Sequence, residues 1–499
     1  MNITFIRRID MDVKDIKNMS KHLNNFLAQF DDCFSRSESR QNLRTYVKGQ
    51  LSELPRKSIE PIALVANMKP RTLQNFLSAI PWNQQRLLDK LQWMVAKDHA
   101  HPDAIGIIDE SGNPKKGSHT ACVQRQWCGN SGKIDNCVVG VHIAYTADDF
   151  QCILDSDLFL PESWAGDPVR RKEVGIPEDV IYRKRAKIAL DQIAHAIGNG
   201  IRVSAWTCDE FYGRDGEFLD GLDGLGQNYV AQVPANFTGW LYEPEILHRP
   251  APQQMRKRGR KRRFPRLSAK ALPASEVQNL LVYSRVFQKQ KWQRFHIKDG
   301  EKGPYVWEVK HSVFYRKHPA DNGLPGKAHY LIIARNVLNP DEIKYFVTNI
   351  VPLPEGIALE RLLWIAFCRA PIEQCFQRCK QQLGMDHFEV RGWLGIHRHL
   401  YITQLSFLFC SVMHSRLREK NDKKFLSDRR AGSPGSLRVH GRQSVRSVDA
   451  KKVLPESLRQ NLVLSETQSA GPKVAPQEDA WQTSKARYKN QSIEILSTA

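Results

Sequence analysis

The chain has 499 residues, 41% of them hydrophobic, which is enough to bury cores in two or three domains and excludes a disordered scaffold. Lysine and arginine number 74 against 53 acidic residues, a formal charge of +21, and a surplus of that size points to an extended polyanion as partner, nucleic acid ahead of anionic membrane. No run of about 18 apolar residues occurs, and the opening MNITFIRRID lacks the apolar core of a secretory signal, so the expectation is a soluble, intracellular protein with no membrane partner.

Residues 1–98 read as helical, with apolar residues at Leu23, Phe26, Leu27 and Phe30, then Leu73, Phe76 and Leu77, then Leu87, Leu88 and Leu91. Within them Pro61 to Leu77 spells a short helix, a turn at Asn67 to Lys69 and a second helix opening with Pro70, a helix-turn-helix pattern that an ordinary helical hairpin would also give. Lys69, Arg71 and Gln74 suit a helix facing phosphates and base edges. From residue 99 the pattern changes. Ala104 to Asp109, Val123 to Cys128 and Asn136 to Thr146 read as three strands, Glu178 to Gly198 as a helix, and Arg202 to Cys208 as a buried strand. Residues 99–211 thus open a mixed sheet with covering helices.

Residues 212–354 return to short strands, notably Asn279 to Phe287, Tyr305 to Tyr315 and His329 to Ala334. Embedded there is RKRGRKRRFPR, eight cations without an acid, of which Arg256, Lys257, Arg258, Arg260, Lys261, Arg262 and Arg263 are candidate phosphate contacts. Helices resume in residues 355–421 through Leu359 to Phe367, Ile372 to Leu383 and Ile396 to Leu417. Residues 422–499 read as a mobile basic tail. The ten cysteines lack metal-site spacing, since Cys375 and Cys379 stand one helical turn apart with no histidine or cysteine pair nearby, and reduced thiols are the plain reading.

Three carboxylates stand out. Asp109 and Asp209 each end an apolar strand and precede a turn, where a side chain can face a cleft while its backbone stays fixed, although turn-forming aspartates are common at such places. In RAPIEQCFQRCKQQL, Arg369, Glu373, Gln377 and Lys380 share one helical face beside an apolar stripe of Ile372, Cys375, Phe376, Cys379 and Leu383. Alone, that helix would read as a surface salt-bridge ladder. Three carboxylates with flanking cations suit magnesium and phosphodiester chemistry.

Together these segments resemble the DDE insertion-sequence transposases that carry a Tyr-Arg-Glu-Lys signature. The resemblance rests on the Asp109 segment with its downstream lysine and glycine, on Asp209-Glu210-x-Tyr212-Gly213, and on Arg369-x3-Glu373-x6-Lys380 followed by LGMDHFEVRGW, and it spans roughly residues 54–400. Where the signature tyrosine would stand, the chain has Ala366. The resemblance implies an α/β, ribonuclease-H-like mixed sheet with flanking helices, interrupted by a strand-rich insertion and preceded by a helical N-terminal domain. It implies two divalent ions, Mg2+ or Mn2+, held by Asp109, Asp209 and Glu373, with Arg369 and Lys380 on phosphates. Lys115, Lys116 and Arg125, which surround Asp109, are further candidates for DNA contact. The implied activity is cutting element ends and joining them to target DNA, by a homodimer on double-stranded DNA in the cytoplasm. A transposase-derived DNA-binding protein that no longer cuts, or another ribonuclease-H-like nuclease, is the alternative.

Overall fold

The computed structural model describes residues 13–249, 263–300, 303–318, 323–352 and 357–431. Five helices lead: α1 (Val13–Ala28), α2 (Ser37–Gln50), α3 (Ile59–Val65), α4 (Pro70–Ser78) and α5 (Gln84–Asp98). The sequence places their ends by local chemistry. Pro70 occupies the first turn of α4, where its missing N–H leaves no bond unmade, and Asn67 turns the chain between α3 and α4 with φ of 53°. The Asn83 side chain caps α5 by accepting from the Arg86 N–H at 2.9 Å. Leu73, Phe76 and Leu77 of α4 are buried while Lys69, Arg71 and Gln74 are exposed, as the pattern predicts.

These helices have no core of their own. Phe26, Leu27, Phe76 and Leu91 belong to one apolar cluster with Ile108 and Val141 of the sheet and with Leu405 and Leu408 of the last helix. Arg398 of that helix reaches back into the N-terminal region, where it is buried over the Trp82 ring at 4.4 Å. It donates to the carbonyl oxygens of Phe76, Leu77, Ile80 and Trp82 at 2.9 to 3.3 Å, satisfying acceptors that the end of α4 leaves open.

The sheet begins with β1 (Ile105–Pro114), β2 (Gln124–Cys128), β3 (Lys133–Ala147) and β4 (Phe150–Leu158). After α6 (Glu162–Ala165), α7 (Pro168–Glu173) and α8 (Arg185–Gly198) come β5 (Ala205–Cys208), α9 (Glu210–Gly213), α10 (Gly216–Gly224) and β6 (Tyr229–Val233). The next strands are β7 (Thr238–Trp240), β8 (Ile246–Leu247), β9 (Arg266–Leu267) and β10 (Ser275–Glu276), then α11 (Val277–Tyr283) and α12 (Arg285–Lys289). β11 (Gln293–Gly300), β12 (Gly303–Lys317), β13 (Pro325–Asn336) and β14 (Ile343–Thr348) precede α13 (Leu359–Ala366), α14 (Ala370–Leu383) and α15 (Trp393–Ala431).

The result is a mixed α/β fold around one large sheet, in the order β10-β7-β12-β13-β14-β6-β5-β1-β3-β2, with β4 on β3 and β11 on β12, while β8 and β9 pair separately. β1, β5 and β6 run parallel, and β14 joins β6 antiparallel, so the strands of residues 212–354 extend the sheet that carries Asp109. Helices α1 to α5 and α8 pack on the face bearing Ile108, Val141 and Ile143, and α13 and α14 on the face bearing Ile105 and Ile107. Among the described residues no helix is long and apolar enough to cross a membrane.

Several elements differ from the expectation. The strand expected to end at Asp109 runs on to Pro114, because β3 pairs with it along its whole length. β4 was not foreseen, because Asp155 and Asp157 break its apolar pattern; inside the fold they are answered by His195 at 3.7 Å, and by Arg183 at 2.7 Å and His397 at 2.9 Å. The helix expected from Glu178 begins only at Arg185, since the Arg171 guanidinium donates to the carbonyls of Pro177, Glu178 and Val180 and holds that stretch out of helix. Asn279 to Phe287, rich in strand formers, is instead the helix pair α11 and α12, whose break is set by Ser284, its hydroxyl accepting from the Phe287 N–H at 3.2 Å. The expected tail is helical to Ala431, and the rest of it lies outside the described residues.

Candidate active site

The two aspartates are brought together by strand register. Ile105, Gly106 and Ile107 of β1 pair with Ala205, Trp206 and Thr207 of β5, and the same offset carries Asp109, in the middle of β1, level with Asp209, just past the carboxyl end of β5. Such ends are where open α/β sheets present side chains to ligands. Asp209 caps α9, its Oδ1 accepting from the N–H groups of Phe211 at 3.0 Å and Tyr212 at 3.3 Å. Gly213 completes that turn, because a Cβ there would strike the Gln232 carbonyl of β6.

Glu373 comes from across the site. Helix α14 buries Ile372, Cys375, Phe376, Cys379 and Leu383 against the sheet, leaving Glu373 and Gln377 exposed on the opposite side, and ends at Gly384 in the left-handed region, φ 72°. Asp109, Ser111, Glu373, Gln377 and Lys380 line one cavity of about 580 Å3, together with Gly129 and Asn130 of the β2–β3 turn. Asp209 does not line it.

Arg369 ties the three acids electrically. Its Nη2 stands 3.4 Å from Asp109 Oδ2, and its guanidinium feels Asp109, Asp209 and Glu373 in that order. Its Nε is buried without a hydrogen-bond partner. Burial pushes the Asp109 carboxyl up to about 6; Arg369 opposes this, and the negative charges of Asp209 and Glu373 add to it. Burial likewise lowers the Lys380 ammonium from its usual value, against the pull of Asp386 and Asp109.

Oxygen donors beside a strained carboxyl suit a hard divalent cation in kind. In spacing, no three His, Cys, Asp or Glu side chains among the described residues stand close enough to share one ion. The acids are gathered around the Arg369 guanidinium instead.

Of the other expected contacts, Lys115 is turned inward: its Nζ donates to the Phe388 carbonyl at 3.1 Å and sits 3.4 Å from the centre of that ring, and burial brings its pKa down to about 8. Lys116, Arg125 and Arg263 are exposed. Arg256, Lys257, Arg258, Arg260, Lys261 and Arg262 lie outside the described residues.

Two residues that no local pattern marked hold the site. Arg185, at the start of α8, binds both oxygens of Glu110 at 2.8 and 2.9 Å and the Gln126 amide oxygen at 3.0 Å, and its guanidinium lies 5.4 Å from the Phe211 ring that follows Asp209. One side chain thus joins both aspartate-bearing strand ends to β2. His142 is opposite Asp109 on β3, accepts or donates at Ser156 Oγ at 2.5 Å, and meets Phe376 of α14 edge-on at 4.9 Å. Burial pushes it down to about 3, so it is a neutral spacer between strand and helix.

Replacing Arg185 by Met leaves Glu110 buried without a cation, and should cost about 3 kcal/mol of folding free energy. Urea unfolding reads this as a lower midpoint at unchanged slope. A loss under about 1 kcal/mol would place Glu110 in effective contact with solvent.

The family model described as DDE superfamily endonuclease matches residues 29–304, more than half of the chain and both aspartates. The chain belongs to the DDE superfamily endonucleases. Glu373 lies beyond the matched stretch of this DDE endonuclease. The chain is also similar to a protein of Microchaete diplosiphon named "Probable transposase for insertion sequence element IS701", with 30% identity over 192 residues, covering 38% of this chain and 47% of that relative. The DDE endonuclease therefore spans about half the length of the curated relative it matches.

Proposed function

We propose that this DDE endonuclease is an insertion-sequence transposase with a ribonuclease-H-like core, which binds the ends of its element in double-stranded DNA, cuts them and joins them to target. The observation that carries the reading is the register of the adjacent parallel strands β1 and β5, which brings Asp109 beside Asp209, with Glu373 acting on the same guanidinium.

Asp109, Asp209 and Glu373, which are too widely spaced to share one ion among all three, would hold two divalent ions, Mg2+ or Mn2+, by pairs, and these would supply charge neutralisation and an activated nucleophile. Arg369 and Lys380 draw the phosphodiester toward the carboxylates, and the cavity fixes its approach. Arg185 keeps the two strand ends in register while charge changes around them. Paired ends would be held by a homodimer. The full chain, incubated with magnesium and a duplex carrying the DNA that flanks its gene, should release ends and join them to a second duplex. Binding without any cutting, in magnesium or manganese, would favour the transposase-derived binding protein instead.

Recognition is assigned to α3 and α4. Catalysis acts on a backbone common to all DNA, so the choice of end needs contacts elsewhere, and Lys69, just before α4, and Arg71 and Gln74 on it are exposed. Replacing Lys69 and Arg71 together by Gln should weaken binding and reduce the slope of log affinity against log salt by about 2. An unchanged slope would remove this helix from the interface.

A further inference from the structure

His387 belongs to the cavity wall, which it lines together with Asp109, Glu373 and Lys380. The chain after α14 is shaped to put it there. Gly384 takes a left-handed turn, φ 72°, and the His387 N–H returns to the Gly384 carbonyl at 2.9 Å. A Cβ on Gly384 would come within 2.9 Å of His387 Nδ1 and 2.7 Å of the Lys57 Cβ, so the imidazole and Lys57 close over the glycine. Lys57 is itself pinned, its buried ammonium donating to the carbonyls of Gln50 and Gln382. Its backbone N–H donates to His387 Nδ1 at 3.0 Å. A main-chain N–H can only donate, so Nδ1 accepts and the neutral ring carries its proton on Nε2. Nε2 makes no hydrogen bond among the described residues, and Asp386 Oδ1, at 3.8 Å, is beyond bonding reach.

We propose that His387 is a further catalytic residue, whose Nε2–H donates to a non-bridging oxygen of the phosphodiester on which the carboxylates act. This rests on the reading of the chain as a DNA-cutting enzyme. Among the described residues four carboxylates line the cavity, those of Asp109, Glu110, Glu373 and Asp386, against the single ammonium of Lys380. An anion entering such a space gains most from donors already fixed in place, which need no reorganisation when it arrives. A second cation would be drawn onto the carboxylates, as Arg369 is onto Asp109 at 3.4 Å. A neutral N–H is drawn far less and stays available to the phosphate, while the bond from Lys57 keeps the ring from turning its proton away.

Two substitutions in the full chain separate this role from a structural one. Asn keeps an acceptor where Nδ1 stands and offers nothing at the place of Nε2; Gln reaches that place with an amide N–H and gives up the bond from Lys57. His387→Asn should melt like the parent yet cut the DNA flanking its gene about 100-fold more slowly in magnesium, whereas His387→Gln should melt lower and cut within about tenfold of the parental rate. Binding is then measured without divalent cations, on the same duplex with the phosphate that the parent cuts either unmodified or replaced by a methylphosphonate, whose methyl group accepts no hydrogen bond. His387→Asn should weaken binding of the unmodified duplex about tenfold and make no further difference to one of the two methylphosphonate stereoisomers. Equal weakening on all three duplexes overturns the proposal, as does a loss of cutting that follows the melting point, with His387→Gln slower than His387→Asn. An unaltered chain that neither binds nor cuts the flanking DNA defeats the DNA-cutting reading and the proposal with it. A parent that cuts, beside a His387→Asn chain that cuts equally fast, defeats only the role of His387.

Discussion

Asp109→Asn, Asp209→Asn and Glu373→Gln should each lose DNA cutting and joining by several orders of magnitude, while affinity for the same DNA falls far less. Each change removes one charged oxygen donor at nearly constant volume, and both nucleophile activation and charge neutralisation act at the transition state. Lys and Arg contacts that carry binding are untouched. The three variants should separate in stability. Burial raises the Asp109 acid to about 6, so the ionised form is less comfortable in the fold than in the unfolded chain. For an acid raised in this way, its contribution to stability declines as pH climbs from the ordinary value near 4 to about 6, and stays low above it. In metal-free buffer at neutral pH, Asp109→Asn should melt a few degrees above the parent, and the advantage should vanish in acid. Cutting by a folded Glu373→Gln chain at the parental rate would return α14 to a salt-bridge ladder. A lower melting point for Asp109→Asn at neutral pH would show that Arg369 outweighs burial.

The second large effect is on folding. Arg398→Met should destabilise the chain by about 4 kcal/mol, because the Leu77, Ile80 and Trp82 carbonyls lose their side-chain donor inside the protein, while Phe76 keeps the Trp82 indole N–H. Burial already pulls the Arg398 pKa down to about 10, yet the guanidinium remains charged and fully occupied at neutral pH. Met fills much of the same space, so the loss reports hydrogen bonds more than packing. Proteolysis should then cut first within residues 13–98, the helices that Arg398 pins. A loss below about 1 kcal/mol would mean that water replaces the guanidinium at those carbonyls.

What the sequence made legible was periodic or punctuated. Asp109 and Asp209 could be picked out because each follows a run of apolar strand residues, although only Asp209 precedes a turn and β1 runs on past Asp109 to Pro114, and Glu373 because its helix sorts apolar from charged side chains. The α3–α4 turn was marked by Pro70. Residues whose roles depend on distant partners were not legible. Arg185 meets Glu110 across 75 positions, Arg398 meets Phe76 across 322, and His142 takes its neutrality from a core that no local pattern describes. Lys115 shows the converse: its neighbourhood in sequence suggested DNA, and its ammonium is spent on the Phe388 carbonyl. β4 was hidden because its two aspartates look like solvent residues until His195, Arg183 and His397 arrive.

The pairing of β14 with β6 bears on any attempt to trim this enzyme to its catalytic strands. Tyr229, Val230, Ala231 and Val233 of β6 are buried, with β5 on one side and β14 on the other. Excising residues 234–348 would turn β6 into an outer strand, apolar and short of charge, with one row of N–H and C=O groups open to any passing chain. Such an edge invites sheet-to-sheet aggregation. A shortened version should therefore precipitate unless a lysine or proline is set into β6, whatever the state of its carboxylates.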